Sequence, residues 1–319
     1  MKITKISLVA GLALSFSGFV AAESQTLNVY NWWDYIKPEV IKNFEADTGI
    51  KVNYDVYDSN EVLEAKLMAG NSGYDLVVPS GSFLERQAKA GIYQELDRSK
   101  LSNYSNLDPT LLKKAEINDP GNRVGVPYAW GTIGLGYNED MLRQRLGDRP
   151  FNTLDLSKAT DLFKKVRGNI KYFNSGNLVQ DLVNGDVCVT IGYNGDLLRA
   201  QKRADEAGVK STLKYAIPKE GTIAWFDLVA IPADSTNSDA AHQFINYLLK
   251  PENAADISNF VMYAVPNTKV GPFLDEAIRT NQGIYPDEEL KANLFSQKAH
   301  TAKFDRRLTS AWSSIKTGR

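Results

Sequence analysis

Apolar and polar positions follow two different periods in the first part of the chain. Over residues 26–30 they alternate residue by residue, which predicts a β-strand, whereas over 38–48 the apolar positions recur at helical spacing. Gly49 stands where that helix would end, and residues 52–57 return to the strand pattern. The sequence therefore predicts a strand, a helix and a second strand in succession.

The same alternation continues in the next segment. Asp58 is predicted to cap a helix over 61–69, with Gly70 just beyond its end, and a short apolar strand over 74–78 follows. Strands that alternate with helices at this spacing predict a parallel sheet covered on both faces. In such a sheet, ligands gather beyond the carboxyl ends of the strands.

A second block of the chain shows the same alternation and predicts another α/β domain. Its predicted turn at 192–196 lies between a strand and a helix. The predicted elements are helices at 159–166, 178–184, 197–207, 240–249 and 251–260, strands at 170–173, 187–191, 213–217 and 224–231, and helical segments near 288–295 and 309–315.

The length and the first residues of the chain indicate an exported protein of two domains. There are 319 residues, and 43% of them are hydrophobic, which is enough for two cores. Residues 1–22 have the pattern of a removable signal, with Lys2 and Lys5 before an apolar run and small residues at the cleavage site. The run is too short and too interrupted for a confident membrane span, so we expect a soluble periplasmic protein.

Charge and cysteine usage narrow the classes of partner and of covalent chemistry. The formal net charge is −1 at pH 7 and would be about −3 without Lys2 and Lys5, while the basic residues are scattered. Nucleic acid is therefore not an expected partner. Cys188 is the only cysteine, so no intramolecular disulfide can form, and its apolar neighbours predict a buried strand.

The spacing of reactive residues argues against catalysis. The two histidines, His242 and His300, have no cysteine, histidine or serine at the spacing of a metal site or a nucleophilic triad. Gly131, Gly134 and Gly136 miss the spacing of a phosphate loop and are predicted to be small residues in crossing strands. The sequence thus predicts a protein with no enzymatic activity, no cofactor and no metal.

Aromatic residues stand beside carboxylates or hydroxyls at several predicted strand ends. Each group alone could be core packing or a helix cap, but together they predict one cavity. Indole and phenol faces attract cations and pack against methylenes, and carboxylates accept charge-assisted hydrogen bonds from ammonium groups. The cavity is therefore expected to take a flexible diamine and to repel anions. The groups are Trp32-Trp33-Asp34-Tyr35, Ser80-Gly81-Ser82-Phe83, Tyr193 with Asp196, Trp225-Phe226-Asp227, and Tyr263.

An ordered series of segments resembles the periplasmic putrescine- and spermidine-binding proteins of ABC transporters. The resemblance covers most of the chain after the predicted signal, and the order of the whole set makes it specific. The segments that carry it are 29–32, 34–36, 44–45, 48–52, 74–80, 184–186, 191–192, 217–221, 225–227, 244–249, Pro251 and 283–286.

The resemblance implies an α/β fold of the type II periplasmic binding protein kind. Two α/β lobes would be joined by crossing strands around a ligand cleft and would close by a hinge motion. The N-terminal lobe would comprise residues 23–131 and 227–277, and the C-terminal lobe residues 132–226 and 278–319. The C-terminal lobe is expected to be shortened around 147–158, where a segment that relatives carry is missing.

Carried over residue by residue, the resemblance also implies a ligand site. Trp32 and Tyr35 would be aromatic contacts of the N-terminal lobe, with Asp34 as an ammonium partner. Trp225 would form the central wall, and Asp227 would be the main carboxylate. The other implied contacts are the hydroxyls of Ser80 and Ser175, Tyr193 with the nearby acid Asp196, and Tyr263 at the side.

The chain departs from the family pattern in three places. Trp33 stands where relatives usually have a small polar or acidic residue, so it is expected to narrow the cavity or to add an aromatic face. Tyr193 stands where relatives usually have tryptophan. The missing segment normally brings an acidic ligand contact, so one ammonium end would lack its partner, and we expect weaker or altered polyamine binding.

The resemblance implies a monomeric receptor that delivers putrescine or spermidine to an inner-membrane ABC transporter permease. Two alternatives stay open on the sequence. One is a binder of another small cation or of an amino acid. The other is a shortened family member that presents a ligand-dependent surface to a membrane sensor.

Overall fold

A computed structural model describes residues 25–138, 140–141, 144, 159–173 and 177–317. The predicted signal at 1–22, the predicted join at 147–158 and Ser175 lie outside these residues. The strands are β1 (Thr26–Trp32), β2 (Lys51–Tyr57), β3 (Leu76–Val77), β4 (Gly125–Asn138), β5 (Val189–Tyr193), β6 (Leu213–Ala216), β7 (Thr222–Ala230) and β8 (Leu294–Phe295). The helices are α1 (Pro38–Thr48), α2 (Asn60–Met68), α3 (Gly81–Lys89), α4 (Pro109–Ala115), α5 (Ala159–Val166), α6 (Leu178–Val183), α7 (Asn194–Glu206), α8 (Ser238–Leu248), α9 (Pro251–Val261), α10 (Glu276–Arg279), α11 (Glu288–Ala292) and α12 (Ala302–Thr317).

The first lobe is built on the predicted alternation of strands and helices. Strand β1 pairs in parallel with β2 on one side and with β3 on the other. Helix α1 begins with Pro38 and ends at Gly49, whose backbone has a φ of 74°. Proline suits the first turn, and glycine adopts this left-handed end without strain. The predicted order of elements and the parallel pairing are confirmed here.

The cap of α2 differs by one residue from the prediction. Ser59, and not Asp58, adopts the extended backbone of the cap, and its side chain accepts a hydrogen bond from the Val62 amide. A capping side chain must reach the amides two or three positions further on, and Asp58 lies one residue too early for that.

Two long strands cross between the lobes. Strands β4 and β7 run antiparallel, with pairing from Gly125 opposite Ala230 to Thr132 opposite Ala224. Strand β7 also pairs antiparallel with β3, so the sheet runs in the order β2-β1-β3-β7-β4-β5. The expectation of small residues in crossing strands at Gly131 is confirmed.

The sheet of the second lobe is antiparallel around β4, unlike the parallel pairing of β1 with its neighbours in the first lobe. Strands β5 and β6 both pair antiparallel with β4, which lies between them. Helix α7 connects β5 to β6. Strand β4 therefore runs opposite to both of its neighbours. The predicted α/β character of this lobe is confirmed, and the predicted alternation of elements is largely present.

Several predicted elements of the second lobe have other boundaries or another type. The 3-10 helix Arg167–Asn169 is followed by irregular chain, so the strand predicted at 170–173 is absent. Residues 192–196 are not a turn, because β5 passes directly into α7. Cys188 is half-buried rather than buried, since it precedes β5, whose outer positions are exposed. The segment 288–295 ends as the short strand β8.

Buried apolar side chains form three clusters. The largest lies between β1 and the helices α1, α8 and α9, and the second covers the other face of the first-lobe sheet. The third belongs to the second lobe and joins α6, α7 and β6 through residues such as Leu182 and Leu197. Ile278 and Leu294, which were predicted to belong to the C-terminal lobe, also pack into the second cluster. The predicted lobe boundaries stay a prediction.

None of the helices in the described part of the chain combines the length and the apolar character needed to cross a membrane.

Substitution of Gly131 tests how closely the crossing strands meet the second lobe. A Cβ at this position would lie 2.4 Å from the Asn194 Oδ1 atom and 2.5 Å from the Trp225 ring. We expect Gly131→Ala to lower the free energy of unfolding by about 1–3 kcal/mol, because a well-packed site must shift to admit a methyl group. Urea unfolding measures the change. The control is Gly168→Ala, where no atom lies within 4 Å of the new Cβ; equal stability of the two variants would contradict the prediction.

Candidate ligand-binding site

Asp227 lies where the crossing strand β7 passes the end of β3. It is opposite Ala129 on β4 and forms an isolated antiparallel bridge with Ser80. The Leu228 amide donates a hydrogen bond to the Pro79 carbonyl oxygen over 3.0 Å and fixes this contact. Asp227 is therefore held at the carboxyl end of a first-lobe strand, where the alternating pattern predicted that ligands gather.

Two hydroxyl groups hold the Asp227 carboxylate. Ser80 Oγ donates to one oxygen over 2.6 Å, and the Tyr35 hydroxyl donates to the other over 2.8 Å. Burial raises the pKa of Asp227 to about 6, although both hydrogen bonds act in the opposite direction. No lysine or arginine in the described part of the chain forms an ion pair with it. A carboxylate has about four lone-pair positions, so a cation can still be accepted.

The side chain of Tyr128 holds Tyr35 in position. The Tyr128 hydroxyl donates to the Tyr35 carbonyl oxygen over 2.6 Å, and the two rings lie 5.5 Å apart. Burial, and then the charge of Asp227, raises the pKa of Tyr35 well above its usual value. The phenol therefore stays protonated at neutral pH and acts as a donor to Asp227.

Three aromatic rings form a wall beside Asp227. Because side chains alternate along a strand, Trp225 lies on the same face of β7 as Asp227. Its ring is 4.9 Å from the ring of Tyr263 and 6.0 Å from that of Tyr193, in both cases edge to face. We refer to Trp225, Tyr193 and Tyr263 as the aromatic wall. Tyr193 is 47% exposed, so the wall has an open side.

The residues of the aromatic wall come from both lobes, and local backbone structure positions Tyr193 and Tyr263. Tyr193 is the last residue of β5, where it pairs with Ile133 on β4. Helix α9 ends at Val261, and Met262 takes a left-handed backbone with a φ of 58° that redirects the chain. Tyr263 follows at once. Edge-to-face contacts of this kind stabilise ring pairs beyond the burial of their area.

Asp196 lies beside the wall but already has a charged partner. It is in the first turn of α7, forms an ion pair with Arg199, and accepts a 3.5 Å hydrogen bond from the Tyr263 hydroxyl. Arg199 also donates to the Val261 carbonyl oxygen over 3.4 Å. The structure therefore brings Asp196 to the site with its charge matched by a residue that the sequence did not single out.

Trp32, Trp33 and Asp34 lie at the edge of this arrangement. The Trp32 indole is half-buried and donates to the Val78 carbonyl oxygen over 2.8 Å. Trp33 is 75% exposed, and Asp34 is exposed with a φ of 56°. Within the described residues, no hydrogen bond or ion pair joins any of the three to Asp227, so their part in the site stays a prediction. Ser175 lies outside the described residues.

Two buried or half-buried asparagines support the site and were missed. The Asn60 side chain accepts from the Ser80 amide and donates to Ser80 Oγ, both over 3.0 Å. The buried Asn194 side chain accepts from the Thr132 amide over 3.2 Å and donates to the Gly283 carbonyl oxygen over 2.8 Å. Their partners are distant in sequence, and no local pattern could have indicated either role.

The chemistry of the residues around Asp227 suits the binding of a cation. Within the described residues, Asp227 accepts hydrogen bonds from two hydroxyl groups and forms no ion pair with a lysine or an arginine. The described residues contain no group of three histidine, cysteine, aspartate or glutamate side chains placed to hold a metal ion. A buried carboxylate beside an aromatic wall has the chemistry to bind an ammonium group.

Comparison with known proteins places the chain among bacterial binding proteins. Residues 31–255 match the family of bacterial extracellular solute-binding proteins. The chain is 45% identical to the putrescine-binding periplasmic protein PotF of Escherichia coli, over 98% of this chain and 97% of that protein. It is 44% identical to the putrescine-binding periplasmic protein SpuD of Pseudomonas aeruginosa, over 97% and 98%.

Solved structures show the same fold. The spermidine/putrescine ABC transporter substrate-binding protein PotD of Streptococcus pneumoniae superposes with a TM-score of 0.83 at 28% identity, over 92% of this chain and 99% of that chain. The predicted type II periplasmic binding protein fold, with two α/β lobes joined by crossing strands, is thereby confirmed.

The comparison with the Escherichia coli protein also bears on length. The alignment extends over 359 positions, whereas this chain has 319 residues, so that relative carries residues without a counterpart here. Their placement around 147–158 stays a prediction, because the described residues do not include that segment. On sequence and on fold, the chain belongs to the family of bacterial extracellular solute-binding proteins.

Proposed function

We propose that this chain is a periplasmic binding protein that captures a polyamine, putrescine or spermidine, and delivers it to an ABC transporter. The observation that carries the proposal is the buried Asp227 carboxylate. It is held by two hydroxyl donors, faces an aromatic wall, and has no cationic partner in the described part of the chain. The relatives that are most informative are named as putrescine-binding periplasmic proteins, and this supports the ligand class and the compartment.

The physical fit to a polyamine has two parts. An ammonium group can occupy the free lone pairs of Asp227, where a charge-assisted hydrogen bond contributes about 1.5–3 kcal/mol. The methylene chain can pack against Trp225 and Tyr263, where each contact between a cation and a ring adds about 0.5–2 kcal/mol. Micromolar binding corresponds to about −8 kcal/mol, so a few such contacts suffice after the costs of ordering the ligand.

The delivery step follows from the family and not from a contact in the structure. In our proposal the partner is an inner-membrane ABC transporter permease, the receptor acts as a monomer, and it carries out no chemistry on its ligand. Residues 1–22 would direct export. Trp32, Trp33, Asp34 and Ser175 complete the proposed set of ligand contacts, on the strength of the sequence alone.

Asp227→Asn separates ligand binding from folding. Without its charge we expect polyamine affinity to fall at least tenfold, because the main ammonium partner is lost. The unliganded variant should be at least as stable as the wild type at pH 7, since it no longer buries a charge. The raised pKa implies that the ionised carboxylate lowers the free energy of unfolding of the wild type by at most about 3 kcal/mol at this pH. Calorimetric titration with putrescine and spermidine, and thermal unfolding, measure the two effects.

A matched change of charge controls this experiment. Asp205 is exposed near the far end of α7 from the wall, so Asp205→Asn should leave affinity unchanged. Wild-type affinity for putrescine is expected to be micromolar because of the shortened second lobe, and nanomolar affinity would contradict that expectation. Undiminished binding by Asp227→Asn would show that the site is misplaced.

The raised pKa of Asp227 predicts that polyamine binding depends on pH. The ammonium groups need the ionised carboxylate, and the free protein takes up a proton on it as the pH falls through about 6. The dissociation constant should therefore change little between pH 8 and 7 and rise by up to about tenfold per pH unit below 6. Titrations at pH 8, 7, 6 and 5 measure this. An unchanged constant across the series would contradict the prediction, and Asp227→Asn should remove the slope.

A further inference from the structure

Two carboxylates of the site are connected through a pair of tyrosines. The Tyr35 hydroxyl donates to Asp227 over 2.8 Å, and the centre of the Tyr35 ring is 5.9 Å from that of Tyr263. The Tyr263 hydroxyl in turn donates to Asp196 over 3.5 Å. Tyr35 and Tyr263 therefore join Asp227 to Asp196 along one aromatic surface.

The position of Asp196 is fixed by the packing of α7 against the aromatic wall. Gly195 lies so close to Tyr263 that a Cβ at residue 195 would be 2.5 Å from the tyrosine ring. Asp196 follows directly, in the first turn of α7, and its side chain is 32% exposed. The carboxylate is thus held beside the wall and is still open to solvent.

Arg199 already occupies this carboxylate. Its guanidinium forms an ion pair with Asp196, donates to the Val261 carbonyl oxygen over 3.4 Å, and lies 6.0 Å from the centre of the Tyr263 ring. Val261 is the last residue of α9, where the helix dipole favours a positive charge. Since the Arg199 side chain is only 27% exposed, water and salt screen the ion pair less than they would screen a pair on the open surface.

The two carboxylates therefore differ in what they offer to an ammonium group. Asp227 has no lysine or arginine partner in the described part of the chain, whereas the charge of Asp196 is balanced by Arg199. An ammonium group that approaches Asp196 is repelled by the guanidinium and competes with it for the same oxygen atoms.

We propose that Arg199 is a specificity-determining residue: by pairing with Asp196 it lowers the affinity of the cleft for the second ammonium group of a diamine and leaves binding of the first, at Asp227, unchanged. This inference rests on the proposed function. Selection of a second positive charge then depends on the difference between an ion pair within the protein and an ion pair with the ligand.

Arg199→Met tests the inference with two amines that share the same carbon chain. Putrescine has an amino group at each end and n-butylamine at one end only, so only putrescine gains from an unpaired Asp196. In calorimetric titrations the affinity for putrescine should rise about tenfold, while the affinity for n-butylamine changes by less than about threefold. Introducing Asp196→Asn into the Arg199→Met variant should cancel the gain for putrescine.

The control is Arg203→Met, which removes the same charge from the same helix. Arg203 lies one turn further along α7, is exposed, and its side chain forms no hydrogen bond or ion pair within the described residues. Both dissociation constants should stay at their wild-type values in this variant.

Two further variants separate the charge of Arg199 from its contribution to folding. Arg199→Lys keeps a positive charge beside Asp196 and should keep the ratio of the two dissociation constants close to that of the wild type. Arg199→Gln carries no charge but keeps a polar donor, so it gives the same comparison if Arg199→Met does not fold. Thermal unfolding of each unliganded variant shows which of them are folded.

The outcomes separate this inference from the proposed function. Equal gains for both amines in Arg199→Met, an unchanged or lower affinity for putrescine, or a gain that survives Asp196→Asn would each overturn the role of Arg199. Asp227→Asn reports on the proposed function independently, because both amines are expected to need Asp227. If the wild type bound no polyamine, the proposed function would fail, and the inference would fail with it.

Discussion

The burial of the Asp227 carboxylate on the crossing strand β7 is the constraint around which the site is organised. Removing a charge from water is unfavourable, and two hydroxyl donors recover only part of its hydration. The raised pKa of this residue expresses the remaining cost. In the proposed function, a cation bound at Asp227 would supply solvation that the protein alone does not, and this would favour a positively charged ligand.

Much of the surrounding structure keeps Asp227 in place. Strand β7 positions it through pairing with both β3 and β4, and Tyr128 holds Tyr35, which holds the carboxylate. The glycine at position 131 lets the Trp225 ring and the Asn194 side chain lie against the same strand. Asp227 and Trp225 of the aromatic wall lie on the same strand, β7, which runs between the lobes. A ligand that contacts residues of both lobes would favour the arrangement in which the lobes are close.

The sequence predicted the first lobe far better than the second. Around β1, α1 and β2 the apolar positions follow the strand and helix periods without interruption, and these elements begin and end within two residues of the predicted positions. In the second lobe, periodicity could not show that β4 is shared and runs opposite to its neighbours, because direction depends on pairing and not on the pattern within a strand. The exposed face of β5 was missed because this strand lies at the edge of the sheet. Apolar residues on an edge strand, such as Ile191, give the same sequence pattern as those of a buried strand.

The site itself was predictable where chemistry and alternation coincide. Trp225 and Asp227 are two residues apart on a strand, and the structure places both beside Tyr263. By contrast, the pairing of Asp196 with Arg199 changes its part in the site, and an ion pair one helical turn apart looks on the sequence like any surface pair. Asn60 was not indicated at all, because its partner Ser80 is reached only through the fold.

The carboxylates of the cleft divide by solvation into two kinds. Asp227 is buried, so its interaction with a cation is strong and is opposed by little water, and it can set the affinity for any ligand with an ammonium group. Asp34, the predicted second ammonium partner, is exposed and hydrated, so it would contribute less to binding and its contribution would be weakened by salt. Small contributions from an exposed carboxylate can still change the relative affinities of ligands that bind Asp227 in the same way but differ in length and charge. Affinity and selectivity can therefore reside in different carboxylates of one cleft, and each can change without loss of the other.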